Sequence, residues 1–150
     1  MGANQFHAQF GEDRILYDLF DKKKTGVCVE VGGFDGIEGS NTYFFEKLGW
    51  KCLVIEPMPE FCQKIKSVRN CEVAEIAASD KKGEVSFYVA EGAETLSTLE
   101  QDTDHFKRIN KAGRRSVKEI RVKTDLLSSI LLDRGINQID FLTLDRKSVV

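Results

Sequence analysis

The feature that most constrains the fold is a short apolar run that glycines interrupt at once. Residues 27–31 read Val-Cys-Val-Glu-Val, and Gly32, Gly33 and Gly36 follow directly. A continuous apolar run of this length is typical of a parallel strand buried on both faces of a sheet. The glycines permit a tight turn at the carboxyl end of the strand, where ligands of α/β sheets bind. We therefore predict a buried strand that opens into a ligand-binding turn.

Helix and strand patterns alternate along the chain. Apolar residues at helical spacing predict helices around residues 15–20, 40–48, 61–68 and 126–134. Apolar or alternating runs predict strands at residues 27–31, 51–56, 72–78, 85–89, 120–122 and 140–144. This alternation indicates an α/β fold, with a mostly parallel sheet and helices on both faces. We expect the strands at 72–78, 51–56, 27–31 and 140–144 to be neighbours in that order.

Two helices carry more detailed predictions. In the first, the spacing predicts a single inward face, and Gly26 would end the helix; the residues of this face are Ile15, Leu16, Leu19 and Phe20. In the second, Ser40 is a candidate N-cap and Gly49 a candidate left-handed C-cap.

The segment from Glu91 to Glu119 is polar and charged and lacks a clear period. We interpret it as a loop-rich insert. Its basic residues would either attract an anionic substrate or form an ordinary solvated surface; they are Lys107, Arg108, Lys111, Arg114 and Arg115.

The overall charge argues against polyanionic partners. The 150 residues include 22 Lys and Arg against 24 Asp and Glu, a formal charge of −2, so we expect no nucleic-acid partner. No apolar run approaches membrane-spanning length and no signal-peptide pattern is present, so we expect no membrane segment and, by default, a cytoplasmic location.

Cysteines and histidines do not indicate a metal site. No CxxC pair is present among the four cysteines, and three of them lie in apolar runs, which predicts buried reduced thiols. His7 and His105 are interpreted as surface residues, and we expect no bound metal.

Acidic residues near the glycine turn indicate the charge of the ligand. Glu30 precedes the turn and Asp35 lies within it, an arrangement that suits a cationic ligand better than the anionic pyrophosphate of a dinucleotide. A GxGxxG motif counted from Gly32 would also need glycines where Phe34 and Ile37 stand. A nicotinamide-dependent oxidoreductase is therefore disfavoured.

Glu56 ends the second strand directly before Pro57. An acid at this place can accept both hydroxyls of a ribose through its two oxygens. That position by itself does not separate a dinucleotide from an adenosyl cofactor.

Several ordered blocks resemble one family. They are Gln9-Phe10-Gly11-Glu12-Asp13, Glu30-Val31-Gly32-Gly33-Phe34-Asp35-Gly36, Ser40-Asn41-Thr42, Phe45-Glu46-Lys47-Leu48-Gly49-Trp50, Ile55-Glu56-Pro57 and Ile139-Asp140-Phe141-Leu142-Thr143-Leu144-Asp145. The chain resembles the FkbM-type methyltransferases over residues 9–144. This resemblance implies a Rossmann-like methyltransferase fold over a single domain, residues 1–150, and S-adenosylmethionine as the methyl donor.

The resemblance also implies which residues lie around this cofactor. They are Glu30, Gly32, Gly33, Asp35, Gly36, Ser40, Asn41, Glu56, Ser79 and Asp80. Glu30, Gly32 and Asp35 correspond to the amino acid portion of the cofactor and Glu56 to its ribose. Ser79 and Asp80 resemble the adenine side, and Ser40 and Asn41 match a block near the cofactor, although helix capping explains Ser40 equally well.

The reaction implied is attack by a substrate hydroxyl, on a small molecule or a glycan, at the sulfonium methyl. No residue stands out as a general base. Selectivity for the methyl acceptor is expected in loops over the strand ends.

The last residues depart from the family pattern. Residues 145–150 read Asp-Arg-Lys-Ser-Val-Val, which a common sequencing adapter encodes when read in frame, so we expect a non-native tail. The domain would then be incomplete at its carboxyl end and inactive by itself. The alternative is a truncated, catalytically dead module that binds a partner through an open sheet edge.

Overall fold

The computed structural model describes residues 5–90 and 117–145. Helices and strands alternate through most of this range. In chain order they are α1 (Glu12–Leu19), β1 (Val27–Val31), α2 (Tyr43–Leu48), β2 (Lys51–Ile55), α3 (Pro59–Val68), β3 (Glu72–Ala74), β4 (Ala77–Ala78), β5 (Gly83–Ala90), β6 (Val117–Asp125), α4 (Leu127–Leu132) and β7 (Phe141–Leu144). No helix in these two ranges is long and apolar enough to cross a membrane.

The main sheet consists of four parallel strands in the order β3-β2-β1-β7. β1 is central, and its Val29 is paired with Leu53 of β2 on one side and with Leu142 of β7 on the other. The predicted order of neighbours and the mostly parallel α/β arrangement are therefore confirmed. The register also brings the carboxyl ends of β1 and β2 together, because Val31 is paired with Ile55.

Helices pack on both faces of this sheet, as predicted. On one face, Val29 and Val31 of β1 belong to a buried cluster with Ile130 of α4. On the other face, Cys28 of β1 packs in a cluster with Phe44 of α2 and with residues of α1. Alternate residues of β1 thus point toward opposite helix layers, which explains why the strand is apolar on both sides.

The predicted third strand at residues 72–78 divides into two strands, so this prediction is wrong. β3 pairs with β2 in the main sheet, whereas β4 pairs with β6 in a second sheet of order β4-β6-β5. A tight turn makes the break, because the N–H of Ile76 donates to the carbonyl oxygen of Ala74 over 3.0 Å.

The second sheet packs its apolar face near the start of α3. Its buried cluster contains Met58, Ala77, Phe87, Val89 and Val122. β5 and β6 are antiparallel, and the alternation predicted for both is confirmed. The insert predicted from Glu91 to Glu119 ends earlier than expected, because β6 begins at Val117. Residues 91–116, with the basic residues assigned to the insert, lie outside the described residues.

The inward face of α1 differs from the prediction. Leu16 and Phe20 pack in the core, but Ile15 and Leu19 are exposed. Asp13 explains this orientation, because it is fully buried and its Oδ2 accepts hydrogen bonds from the backbone N–H groups of two preceding residues. The helix also ends well before Gly26, at Leu19.

Aromatic side chains fill the layer between α1, α2 and the sheet. The ring of Trp50, the one tryptophan of the chain, lies 4.8 Å from that of Phe45 and 5.5 Å from that of Phe20. Its indole N–H donates to the carbonyl oxygen of Lys23 over 3.0 Å. Phe45 also contacts Phe141 of β7 at 4.9 Å, so one aromatic cluster joins α2 to the far edge of the described sheet.

We expect Phe45→Ala to lower the free energy of unfolding by about 3 to 5 kcal/mol, because a large fully buried ring is replaced by a cavity. Phe10→Ala is the matched control, because Phe10 is 80% exposed and its loss should cost no more than about 0.5 kcal/mol. Urea denaturation followed by circular dichroism measures both. Equal losses in the two variants would contradict this packing.

Candidate functional site

The glycine turn continues directly from the carboxyl end of β1. Gly32 and Gly36 have φ of 91° and 86°, in the left-handed region that favours glycine. Phe34 is also left-handed, at φ 46°, which is unusual for a bulky residue. The N–H of Gly32 donates to the carbonyl oxygen of Ile55 over 2.8 Å, and this bond ties the turn to the end of β2.

Gly33 is required for a different reason, namely close packing. A Cβ atom at this position would lie 2.3 Å from Cγ1 of Val54 and 2.9 Å from Cδ1 of Ile65. The turn therefore passes directly over β2 and α3. We predicted that glycines here permit a tight turn, and the structure shows that Gly33 leaves space for the side chains of Val54 and Ile65.

Glu56 and the glycine turn lie in direct contact. Oε2 of Glu56 accepts hydrogen bonds from the N–H of Gly33 at 3.1 Å and of Phe34 at 3.3 Å. Oε1 accepts from the N–H of Met58 at 3.0 Å. The side chain is only 5% exposed. The two features that the sequence suggested separately, the turn and the strand-end acid, therefore form one structure.

Burial determines the protonation of Glu56. Desolvation raises the pKa of its carboxyl group from 4.5 to about 7, although the three backbone N–H groups act in the opposite direction. The negative charge of Asp145 contributes a smaller part of this rise in pKa. Within the described residues, no cation forms an ion pair with Glu56, and the groups that stabilise its charge there are backbone N–H dipoles.

Glu30 has a different environment, although its side chain is equally buried. Its carboxylate accepts hydrogen bonds from Oγ of Ser40 at 2.7 Å, from Oγ1 of Thr42 at 2.5 Å and from the N–H of Asn41 at 3.1 Å. Arg69 adds an ion pair at 3.3 Å. Glu30 thus holds the segment before α2 in place.

That segment contains two more predicted site residues. Oγ of Ser40 accepts hydrogen bonds from the N–H groups of Thr42 and Tyr43. However, α2 begins only at Tyr43 and its N-cap is Thr42, so the prediction of Ser40 as the N-cap is wrong, whereas the predicted left-handed C-cap at Gly49 is confirmed by its φ of 109°. The amide nitrogen of Asn41 donates to Oγ1 of Thr143 over 3.0 Å. Oδ1 of Asn41 is buried and has no hydrogen-bond partner among the described residues.

The remaining predicted residues lie in two places. Asp35 closes the turn, because its Oδ1 accepts hydrogen bonds from the N–H groups of Ile37 and Glu38 at 2.9 and 2.8 Å. Ser79 and Asp80 follow β4, and the N–H of Ser79 donates to a β6 carbonyl oxygen. Within the described part of the chain, no hydrogen bond joins either residue to the glycine turn.

Arg69, which follows α3, contacts several of these residues, although no sequence motif indicated it. Its fully buried guanidinium contacts Oε2 of Glu46 at 2.6 Å in addition to Glu30. It also donates to the carbonyl oxygen of Gly36 at 3.2 Å. An arginine after an amphipathic helix is common, so its place in the sequence does not indicate a role. The one indication in the sequence was that Glu30, if buried, would need a counter-ion.

The cysteines and His7 carry no sign of a metal site. Cys28, Cys52 and Cys62 are buried free thiols and Cys71 is half-buried, in agreement with the prediction. Burial raises the pKa of Cys62 to about 12, which disfavours a reactive thiolate. Over residues 5–90 and 117–145, no group of His, Cys, Asp and Glu side chains is arranged to hold a metal ion.

Comparison with known proteins decides the family. Residues 30–146 match the family model of the methyltransferase FkbM domain. The chain belongs to the FkbM methyltransferases. No curated protein and no solved structure matches it. The FkbM match contains every candidate site residue from Glu30 to Asp80, whereas the Gln9–Asp13 block precedes it.

The raised pKa of Glu56 in this FkbM domain predicts a pH-dependent stability. A carboxyl group whose pKa is higher in the folded state stabilises the fold fully below about pH 4.5, and this stability is lost as pH rises through about 7. At about 1.4 kcal/mol per pKa unit, the loss is at most about 3 kcal/mol.

We therefore expect the unfolding free energy of wild type minus that of Glu56→Gln to fall by about 2 to 3 kcal/mol between pH 5 and pH 8. Urea denaturation at several pH values measures this difference. Glu84→Gln is the control for the loss of one carboxylate, because the side chain of Glu84 on β5 is exposed. If the difference in unfolding free energy between wild type and Glu56→Gln does not change with pH, the raised pKa of Glu56 is wrong.

Proposed function

We propose that this chain is the S-adenosylmethionine-binding part of a Rossmann-like methyltransferase that methylates a hydroxyl group on a small molecule or a glycan. Membership of the FkbM methyltransferase family supports methyl transfer as the type of reaction. The observation that carries the proposal is the junction of Glu56 with the glycine turn. It joins a buried acid, which has no counter-ion among the described residues, to a turn at the carboxyl ends of two parallel strands.

The available acceptors fit the polar groups of this cofactor. Oε1 of Glu56 accepts one hydrogen bond from the described protein, that of Met58, and so has capacity for a ribose hydroxyl. Oδ1 of Asn41 is a buried acceptor without a partner in the described residues, and an ammonium group donates to such an atom. We assign Glu56 to the ribose and Asn41 to the amino acid portion.

The other predicted residues have supporting parts in this proposal. Glu30 already has four protein donors, so we propose that it acts by holding Ser40 and Asn41 in place. Asp35 stabilises the turn through the backbone, and Gly32, Gly33 and Gly36 give that turn its path. Ser79 and Asp80 remain assigned to the adenine side.

The cofactor, when bound, supplies an electrophilic methyl group on a cationic sulfonium. The chain itself binds and orients, and its buried acids favour a positively charged ligand over an anionic one. We propose no general base among the described residues, and we assign acceptor selectivity to loops over the strand ends.

A second candidate is an interaction module without catalysis. Leu142 and Leu144 of β7 are exposed, and β7 pairs with β1 alone among the described strands. Such an edge is able to accept another strand. This module would bind a protein and no adenosyl cofactor.

Isothermal titration calorimetry separates these candidates. We expect the chain to bind S-adenosylhomocysteine and not NAD, because the turn lacks the dinucleotide fingerprint. Binding of neither compound would favour the interaction module, and binding of NAD alone would contradict the proposed cofactor.

We expect Glu56→Ala and Asp35→Ala each to weaken S-adenosylhomocysteine binding by about 1 to 3 kcal/mol. Glu56→Ala removes the proposed acceptor for the ribose, and Asp35→Ala removes the acceptor that closes the glycine turn. Glu84→Ala is the control, because Glu84 is an exposed acid on the second sheet. Unchanged affinity in both site variants would remove the site assignment.

A further inference from the structure

The contacts of Arg69 point to a role beyond charge compensation. Its guanidinium lies at the junction of four parts of the chain: β1, the glycine turn, the segment before α2, and α2 itself. The side chain is fully buried. Desolvation acts to lower its pKa, but Cys71 and the carboxylates of Glu30 and Glu46 raise it, and the net pKa is raised. It therefore remains a fixed cation within the protein.

Arg69 forms hydrogen bonds with the residues on either side of Asn41. One terminal nitrogen donates to Oγ of Ser40 at 3.2 Å, and the other donates to Oγ1 of Thr42 at 3.0 Å. Asn41 lies between these two residues. The first nitrogen also donates to the carbonyl oxygen of Gly36 at 3.2 Å, so the same planar group holds Asn41 in a fixed position relative to the glycine turn.

The carboxylates of Glu30 and Glu46 hold the guanidinium of Arg69 in place. Glu46 of α2 binds Nε of Arg69 at 2.6 Å, and Glu30 of β1 lies 3.3 Å from a terminal nitrogen. A guanidinium offers five donors in a rigid plane, whereas a lysine ammonium offers three donors from a single point. Only arginine can satisfy these acceptors from one position.

We propose that Arg69 is a positioning residue for the cofactor site, which sets the location of Asn41 relative to the glycine turn. This inference rests on the proposed function. Arg69 has no direct role toward the cofactor, and its effect passes through Ser40, Thr42 and Gly36.

The first test compares Arg69→Lys and Arg69→Met with wild type by calorimetry with S-adenosylhomocysteine. We expect both variants to bind about tenfold to a hundredfold more weakly, because small displacements of binding groups are costly. Arg134→Met is the matched control. Arg134 also follows a helix and forms an ion pair, with Glu72, but α4 packs on the opposite face of the sheet.

The second test shows whether Arg69 acts through Asn41. In a double-mutant cycle, Asn41→Ala should weaken binding in wild type but have little further effect in the Arg69→Lys background. Thermal unfolding of each variant reports stability separately. A purely structural role would lower the melting temperature and leave the two effects on affinity additive.

The outcomes are distinguishable. If wild type does not bind S-adenosylhomocysteine, the proposed function fails and this inference fails with it. If wild type binds and Arg69→Lys binds equally well, this inference alone is wrong. Additive effects of Arg69→Lys and Asn41→Ala would also overturn it. Arg69→Lys retains the charge, so it decides the question even if Arg69→Met does not fold.

Discussion

The register between β1 and β2 is the constraint on which the candidate site depends. Because Val31 is paired with Ile55, the chain leaves both strands at the same level of the sheet. Gly32 then bonds to the carbonyl oxygen of Ile55, and Glu56 meets the N–H groups of the turn. A shift of one residue would turn every side chain of the strand to the opposite face and separate Glu56 from the turn.

Two buried acids illustrate how one fold treats negative charge in two ways. Glu30 and Glu56 are each 5% exposed. Glu30 is balanced by Arg69 and by side-chain hydroxyls, whereas within residues 5–90 and 117–145 the donors to Glu56 are backbone N–H groups. In this part of the chain, the acid that organises the scaffold has a counter-ion and the other acid has none. Such an asymmetry is typical of sites that receive a charged or strongly polar ligand.

The sequence predicted the local features well where one short segment determined them. The strand at 27–31, the glycine turn and the C-cap at Gly49 followed from runs and spacings, and the neighbour order of the main strands followed from the general topology of α/β sheets. The face of α1 did not, because the burial of Asp13 depends on distant backbone donors. The split of the third strand depends on the turn at Ile76, which the apolar pattern conceals. The sequence did not indicate Arg69, because its importance comes from partners on β1, the glycine turn, the segment before α2 and α2.

Trp50 lies on the face of the main sheet that α1 and α2 cover, so its fluorescence reports on that face. The indole is enclosed by Phe20, Phe45 and Phe141 on the face covered by α1 and α2, and the opposite face, under α4, holds no tryptophan. Indole emission will therefore report solvent entry into the aromatic layer and will be insensitive to loosening of α4. A fluorescence transition that occurs before the loss of far-ultraviolet circular dichroism would identify the aromatic layer as the part that opens first.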